Sequence, residues 1–191
     1  VFSPSMYDKL DFDPVKSFAS ISQIFVAANL LVVPADSPAK TLPELVALAR
    51  SQPGKLTYAH AGAGTSQHLA AELFKSMAKL DIQPIAYRGT TVLLPDLLAS
   101  RISMSFGNIV NVLPLVRDGK LRAFAVTSIR RSGIAPDLPT MAESGLPGFE
   151  FYSWYGVWAA RAVPREIVDR MNAVIVEAMR RLSTAPHPNQ L

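Results

Sequence analysis

Cysteine is absent from this sequence of 191 residues, and so is any long apolar run. Without cysteine, the chain has no disulfide framework, no thiol nucleophile and no cysteine zinc site. No apolar run reaches the roughly 20 residues needed to span a bilayer. We expect no export signal in the chain as given, because no charged-then-apolar segment opens it. With 49% hydrophobic residues, the chain has enough apolar side chains to bury a globular core.

A concentrated basic surface is also missing. The formal net charge is +4, but the 19 basic residues are scattered, and the only adjacent pairs are Arg130-Arg131 and Arg180-Arg181. A nucleic-acid partner requires a basic stripe or an aromatic platform. We therefore predict that this protein does not bind nucleic acid.

What is present is an alternation of apolar strands and amphipathic helices. The β-prone run at residues 24–33 predicts a central strand that is covered on both faces. Thr41, Pro43 and Glu44 form a capping box with proline in the first turn, which predicts the start of a helix. Further strand patterns lie at residues 55–58, 81–87, 102–106, 121–127 and 149–160. This alternation predicts an α/β fold with a mostly parallel sheet.

Three successive strand-to-helix turns carry polar, glycine-bearing sequence. They are residues 62–66, residues 88–91 and Gly107-Asn108. In an open parallel sheet, ligands bind outside the carboxyl ends of the strands. We therefore expect the three turns to line one crevice.

The turn within residues 58–68 is the strongest candidate for an anion site. It leads into a helical pattern marked by Leu69, Leu73 and Met77. The first amides of a helix have no internal partner, and the helix dipole adds about half a positive charge at that end. The glycines of the turn allow close backbone approach. A carboxylate or phosphate is expected there, and the alternative is a tight turn that only caps the helix.

Residues 58–74 resemble the signature of the tripartite tricarboxylate transporter substrate-binding proteins, also called the Bug family. Other landmarks of that family follow in order, and the resemblance covers about residues 7–180. These landmarks are residues 10–18 (LDFDPVKSF), 84–89 (PIAYRG), 118–128 (DGKLRAFAVTS) and 138–150 (LPTMAESGLPGFE).

The resemblance implies a periplasmic solute receptor with a type II periplasmic-binding-protein fold. Two α/β lobes would close on a small carboxylate, such as a di- or tricarboxylate, an amino acid or an aromatic acid. The resemblance implies capture rather than catalysis, and delivery of the ligand to a membrane permease. By analogy, residues 32–152 form the second lobe, which carries the ligand loop, and residues 1–31 and 153–191 belong to the first lobe.

The sequence also departs from the family pattern. The expected first strand with its proline- and glycine-rich loop is not found before Val1, and residues 184–191 resemble nothing expected there. We therefore expect a chain truncated at both ends, with one largely complete lobe and parts of the other. Phe18, Trp154 and Trp158 are then expected on an uncovered surface, which favours a homodimer. The alternative function is a truncated, non-binding fragment that self-associates.

The predicted ligand-binding residues lie on the three turns. Arg88 is the only cation beside them, and it is either a partner for a second carboxylate or a solvated surface charge. Tyr87 either offers its hydroxyl to the ligand or packs as a structural tyrosine, and Asn108 either contacts the ligand or only caps its helix. The full predicted set is Ala61, Gly62, Gly64, Thr65, Ser66, His68, Tyr87, Arg88 and Asn108.

Catalytic and metal sites are weaker interpretations. Ser66 and His68 are a remote candidate for a hydrolase nucleophile and its base, but a serine hydrolase needs a glycine-flanked elbow and a histidine held by a carboxylate. His60 and His68 have no acid nearby at metal-ligand spacing, so we predict no metal site. We predict no enzyme activity and no cofactor, and we expect His68 to cap or border the cleft.

Overall fold

The computed structural model of the protein describes residues 9–184. Residues 1–8 and 185–191 lie outside the described range, and with them most of the predicted divergent tail. The elements, in chain order, are β1 (Phe18–Pro34), α1 (Leu42–Ser51), β2 (Thr57–His60), α2 (Ser66–Ala78), β3 (Gln83–Ala86), α3 (Thr90–Leu98), β4 (Met104–Asn108), α4 (Ile109–Arg117), β5 (Leu121–Val126), β6 (Tyr152–Ala160) and α5 (Arg165–Thr184).

The chain divides into two compact units. One comprises Val1–Val26 and Trp154–Leu191, and the other comprises Ala27–Ser153. The sequence predicted that the chain passes from one lobe to the other after residues 31 and 152. In the structure, the boundaries between the two units fall after residues 26 and 153. The assignment of these units to two receptor lobes stays a prediction.

The larger unit contains a mixed sheet in the order β3-β2-β4-β1-β5. Strand β2 pairs in parallel with both β3 and β4, whereas β1 is antiparallel to both β4 and β5. The α/β class is confirmed. The sheet differs from the predicted, mostly parallel one because β1 runs antiparallel to both of its neighbours, β4 and β5. Burial on both faces gives a strand a continuous apolar sequence whichever way it runs, so the sequence of β1 does not reveal its direction.

Helices cover both faces of this sheet. Leu31 and Val33 of β1 join the core beneath α1 and α2, while Leu30 and Val32 join the core beneath α3 and α4. All four side chains are fully buried. The predicted central strand is therefore confirmed, because β1 lies between two neighbours and is apolar on both faces.

Alanines make up most of the buried apolar face of α2. Its buried apolar positions are Ala70, Ala71, Phe74 and Ala78. The leucines and the methionine that mark the helical pattern are only half-buried, at the rim of this face. The predicted helix is confirmed. Its most buried side, however, is the one with the alanines and Phe74, and not the one with Leu69, Leu73 and Met77.

The smaller unit joins the first part of β1 to β6 and α5. Strand β6 pairs with β1, and the ring of Phe25 stacks on that of Tyr155 at 4.3 Å between centroids. On α5, Val168 is buried, and the Asn172 side-chain amide donates to the carbonyl of Ile21 at 2.5 Å. Among the helices of residues 9–184, none has the length and apolarity to cross a membrane.

Gly107 in β4 provides a test of this packing. A Cβ built at Gly107 overlaps Cγ1 of Val112, which belongs to the core beneath α4. We expect Gly107→Ala to lower the free energy of unfolding by about 1–3 kcal/mol through overpacking, measured by urea denaturation. The control is Gly133→Ala, because a Cβ at Gly133 meets no atom within 4 Å. Equal stability of the two variants would contradict this description of the core.

Candidate functional site

The three polar turns follow three adjacent strands. Strands β3, β2 and β4 are neighbours in the sheet and run in parallel, so their carboxyl ends lie at one edge. The turn after β2 leads into α2, the turn after β3 into α3, and β4 runs directly into α4. The topology therefore brings the predicted residues of the three turns to one edge of the larger unit.

The loop between β2 and α2 is held by its own polar groups. The amide of Ala61 donates to Oε1 of Gln67 at 2.8 Å, and the hydroxyl of Thr65 donates to the carbonyl of Gly62 at 2.8 Å. Nε2 of Gln67 also reaches Oγ1 of Thr90 at 3.4 Å, which links this loop to the start of α3. The Ala61 amide and the Thr65 hydroxyl proton are therefore already engaged in the loop.

Two histidines support the same loop. The Gly62 amide donates to Nδ1 of His60 and the Gly64 amide to Nδ1 of His68, each at 3.3 Å. A ring that accepts at Nδ1 carries its proton on Nε2 when it is neutral. The two rings lie 4.6 Å apart between centroids. Both glycines have positive φ angles, 127° at Gly62 and 76° at Gly64, which other residues rarely adopt.

Most of the unpaired donors of this turn lie just after the glycine loop, in the first turn of α2. The backbone amides of Ser66, Gln67 and His68 begin α2, and the described residues give them no acceptor. The Ser66 hydroxyl likewise has no partner among the described residues. These groups are the donors that a helix start offers to an anion. In the loop itself, the Ala63 amide also has no acceptor among the described residues, so most of the unpaired donors, but not all of them, lie in the first turn of the helix.

A polar cluster fixes the orientation of α2 on β2. The Tyr58 hydroxyl donates to Oε1 of Glu72 at 2.5 Å, and Nζ of Lys75 donates to the same oxygen at 2.8 Å. Burial and the Glu72 carboxylate raise the pKa of Tyr58. Burial alone would raise the pKa of Glu72, but the hydrogen bonds from Lys75 and Tyr58 outweigh it, so that pKa is lowered. A carboxylate that is ionised at neutral pH therefore ties the helix to the strand.

The turn after β3 is engaged with α3. The Tyr87 hydroxyl donates to Oδ2 of Asp96 at 2.7 Å, and Arg101 donates to Oδ1 of Asp96 at 2.8 Å. Burial and the bond to Asp96 raise the pKa of Tyr87. The proton of Tyr87 therefore points to Asp96, and only its oxygen lone pair is left for a ligand. Arg88 is exposed and forms no ion pair within the described part of the chain.

Asn108 has the structural role that was one of its two interpretations. Its Oδ1 accepts a hydrogen bond from the amide of Val110 at 3.2 Å, which caps α4. The side chain is buried, with 8% of its surface exposed. The capping role is confirmed, and a ligand contact by Asn108 stays a prediction.

Asn29 is a polar residue of this edge that the sequence interpretation missed. It is fully buried at the point where β1 enters the larger unit, and its Cα is paired with that of Asn108. Its Oδ1 accepts from Ser153 Oγ at 3.1 Å, and its amide donates to Thr127 Oγ1 at 2.8 Å. A single asparagine within an apolar ten-residue run is the sequence signal that identifies it.

Ser66 and His68, the remote hydrolase candidates, both lie in the first turn of α2. No hydrogen bond joins them, and Nδ1 of His68 already accepts from Gly64. Within residues 9–184, no group of three or more histidine, aspartate and glutamate side chains is placed to hold a metal ion.

Comparison with known proteins gives one consistent family. The family model described as the tripartite tricarboxylate transporter family receptor matches residues 1–189. The chain is similar to the UPF0065 protein in the tcbD-tcbE intergenic region of Pseudomonas sp. (strain P51), with 37% identity over 91% of this chain and 52% of that protein. The chain spans about half the length of the curated relatives it matches.

Solved structures agree with this comparison. The chain is similar to Rpa4515 of R. palustris with adipate, with 35% identity and a TM-score of 0.84 over 88% of this chain and 56% of that one. It is also similar to MatC of Rhodopseudomonas palustris with bound malate, with 31% identity and a TM-score of 0.85 over 97% of this chain and 67% of that one. These likenesses confirm the predicted family resemblance.

The histidine supports of the loop predict a pH dependence. Burial, followed by the charge of His60, lowers the pKa of His68 from its ordinary value of 6.5. Between the lowered folded pKa and 6.5, the unfolded chain therefore binds more protons, and stability rises with pH. We expect the free energy of unfolding to fall when the pH is lowered from 7.5 to 5.5, as measured by urea denaturation.

His68→Asn is the matched variant, because its Oδ1 keeps an acceptor for the Gly64 amide without a titrating ring. We expect a shallower pH dependence in this variant. Equal pH slopes for the variant and the natural chain would show that His68 does not contribute.

Proposed function

This chain belongs to the tripartite tricarboxylate transporter family of receptors, and from that premise we propose that it is part of a receptor that captures a small carboxylate. The observation that carries the proposal is the set of unpaired amides at Ser66, Gln67 and His68, together with the Ser66 hydroxyl. A carboxylate oxygen accepts such bonds, and the helix dipole favours its charge. We assign the carboxylate to this helix end.

The supporting residues have separate roles in this proposal. Gly62 and Gly64 give the loop its shape, while His60, Gln67 and His68 hold it through their side chains. Arg88 is exposed beside the next turn and is the candidate cation for a second carboxylate. The relatives solved with adipate and with malate support a dicarboxylate as the ligand.

The wider biological role follows from the family. We propose that the receptor works in the periplasm and delivers its ligand to the membrane permease of a tripartite tricarboxylate-type transporter. Capture requires no chemistry, so we propose no enzymatic activity and no cofactor. Since the chain spans about half the length of its curated relatives, we propose this role for a receptor of which residues 27–153 supply one half of the ligand site.

Self-association is a second candidate property, favoured by the surface of the smaller unit. On helix α5, Val168 is buried and the side chain of Asn172 donates to Ile21 of β1, whereas another side of the helix exposes an apolar stripe. The stripe includes Ile167, Met171, Val174 and Leu182, and Trp154 and Trp158 of β6 are also exposed. Exposed apolar surface of this kind favours association between copies.

Ligand binding is tested by thermal unfolding with malate or adipate. We expect the melting temperature to rise with ligand concentration, as mass action requires. Ser66→Asp places a carboxylate at the helix start, where it competes with the ligand and stabilises the free helix by about 0.3–1 kcal/mol. We expect this variant to lose the ligand-induced shift.

The matched control is Ser76→Asp, which adds the same charge to an exposed position in the last turn of α2. Its ligand-induced shift should equal that of the natural chain. A shift that survives Ser66→Asp would place the carboxylate elsewhere, and no shift with any carboxylate would favour a non-binding fragment.

Self-association is tested by light scattering during size-exclusion chromatography. We expect the mass to rise with concentration, and Val174→Lys to reduce this rise because it places a charge in the apolar stripe. Ala173→Lys adds the same charge at the neighbouring exposed position on the polar side of α5 and should not change it. A monomer at every concentration would contradict the self-association proposal.

A further inference from the structure

His68 replaces the usual capping-box acceptor at the start of α2. Thr65 is the N-cap residue of this helix, but its side chain makes no capping hydrogen bond to the helix. Three residues later, Nδ1 of His68 accepts from the amide of Gly64 at 3.3 Å. In a capping box, a glutamate or glutamine at this position accepts from the amide of the N-cap residue. Here an imidazole is the acceptor, and the donor is the amide one residue earlier.

The His68 acceptor exists in only one protonation state of the ring. A neutral imidazole keeps one nitrogen as an acceptor, whereas the charged ring carries a proton on both nitrogens. Once His68 is charged, its Nδ1–H and the Gly64 N–H are two donors that face each other, so the bond between them is lost. The ring is half-buried, so protons from the solvent can reach it. Histidine is also the side chain whose charge ordinarily changes near neutral pH.

The groups that face the His68 ring favour its neutral state. The rings of His60 and Tyr58 on β2 lie 4.6 and 6.4 Å away between centroids. Burial, followed by the charge of His60, lowers the pKa of His68. On α2 itself, Glu72 acts in the opposite direction and Lys75 in the same direction as His60. Strand β4, which α2 also contacts, has no titratable side chain. His68 is therefore neutral at pH 7.5 and gains its proton at mildly acidic pH.

The bond to Gly64 lies directly before the donors of the proposed ligand site. Gly64 is followed by Thr65 and then by Ser66, whose amide is the first of the unpaired donors of α2. Thr65 is held in the loop through the carbonyl of Gly62, which accepts from both its amide and its hydroxyl. A glycine with a positive φ angle, such as Gly64, changes its backbone conformation easily once it is released. The state of His68 therefore controls how the chain enters the helix.

We propose that His68 is a positioning residue that couples ligand binding to a proton: the site binds its carboxylate while His68 is neutral and releases it when His68 is protonated. This inference rests on the proposed carboxylate site at α2 and adds its regulation. The affinity then falls as the pH falls, and binding at mildly acidic pH expels up to one proton from the ring. Attraction between an imidazolium and the carboxylate would give the opposite sign, so the sign of the pH dependence distinguishes the two effects.

The test is the malate affinity of the whole chain between pH 7.5 and 5.5, measured by isothermal titration calorimetry, with circular dichroism to confirm the fold at each pH. We expect Kd to rise several-fold in the natural chain. The upper limit is about tenfold, because a histidine of ordinary pKa is about nine-tenths protonated at pH 5.5. His68→Asn keeps an acceptor without a titrating ring, so its Kd should rise less. Protonation of malate itself affects both proteins equally and cancels in the comparison.

Two further measurements separate the bond from the charge. His68→Leu removes the acceptor at every pH without adding a charge, so at pH 7.5 it should bind malate as weakly as the natural chain does at pH 5.5. In a nitrogen-15 spectrum of the ligand-free natural chain, the amide of Gly64 should shift over the same pH range.

Each outcome decides between the proposals. An equal pH dependence in the natural chain and His68→Asn, an affinity that rises as the pH falls, or a Gly64 amide that does not shift would overturn the role of His68, while malate binding at pH 7.5 leaves the proposed function standing. If neither malate nor adipate binds at pH 7.5, the proposed function fails, and this inference fails with it. If a variant does not fold, the sign of the pH dependence and the Gly64 amide of the natural chain decide the question.

Discussion

The backbone amides in the first turn of α2 have no acceptor within the helix, and these unpaired donors are the basis of the candidate site. Three amides of the loop before the helix are paired with the side chains of Gln67, His60 and His68, whereas the amides of Ser66, Gln67 and His68 have no acceptor among the described residues. The contact of Tyr58 and Lys75 with Glu72 holds the helix on its strand. The donor group therefore has a fixed place before any ligand arrives, which limits the entropic cost of binding.

The direction of β1 decides which of its residues lies at this edge of the sheet. Strands β2, β3 and β4 end at the edge where the polar turns lie, whereas β1 runs the opposite way and enters the larger unit there. Asn29 stands at that entry, paired with Asn108 at the end of β4. A parallel β1 would carry its entry residue to the other edge of the sheet. The reversed direction of β1 therefore places the buried Asn29 at the carboxyl edge.

Much of the fold could be predicted from local sequence, and the details of the site could not. The apolar run of β1, the capping box before α1 and the Asn108 cap each have a local signature, and the structure confirms them. Strand direction depends on connections far along the chain, so the sequence of β1 does not specify it. The sequence did not reveal that the loop pairs its own amides with side chains. The side-chain amide of Gln67 folds back from the helix to accept from Ala61, and no residue spacing predicts this contact.

The central claim is that a small carboxylate binds at the start of α2. A crystal structure of the chain with malate or adipate tests this most directly. The account predicts carboxylate oxygens at about 2.7–3.2 Å from the backbone nitrogens of Ser66, Gln67 and His68, with the loop bonds to His60 and His68 intact. Ligand density away from the first turn of α2, or a loop whose own amides turn to bind the ligand, would contradict it.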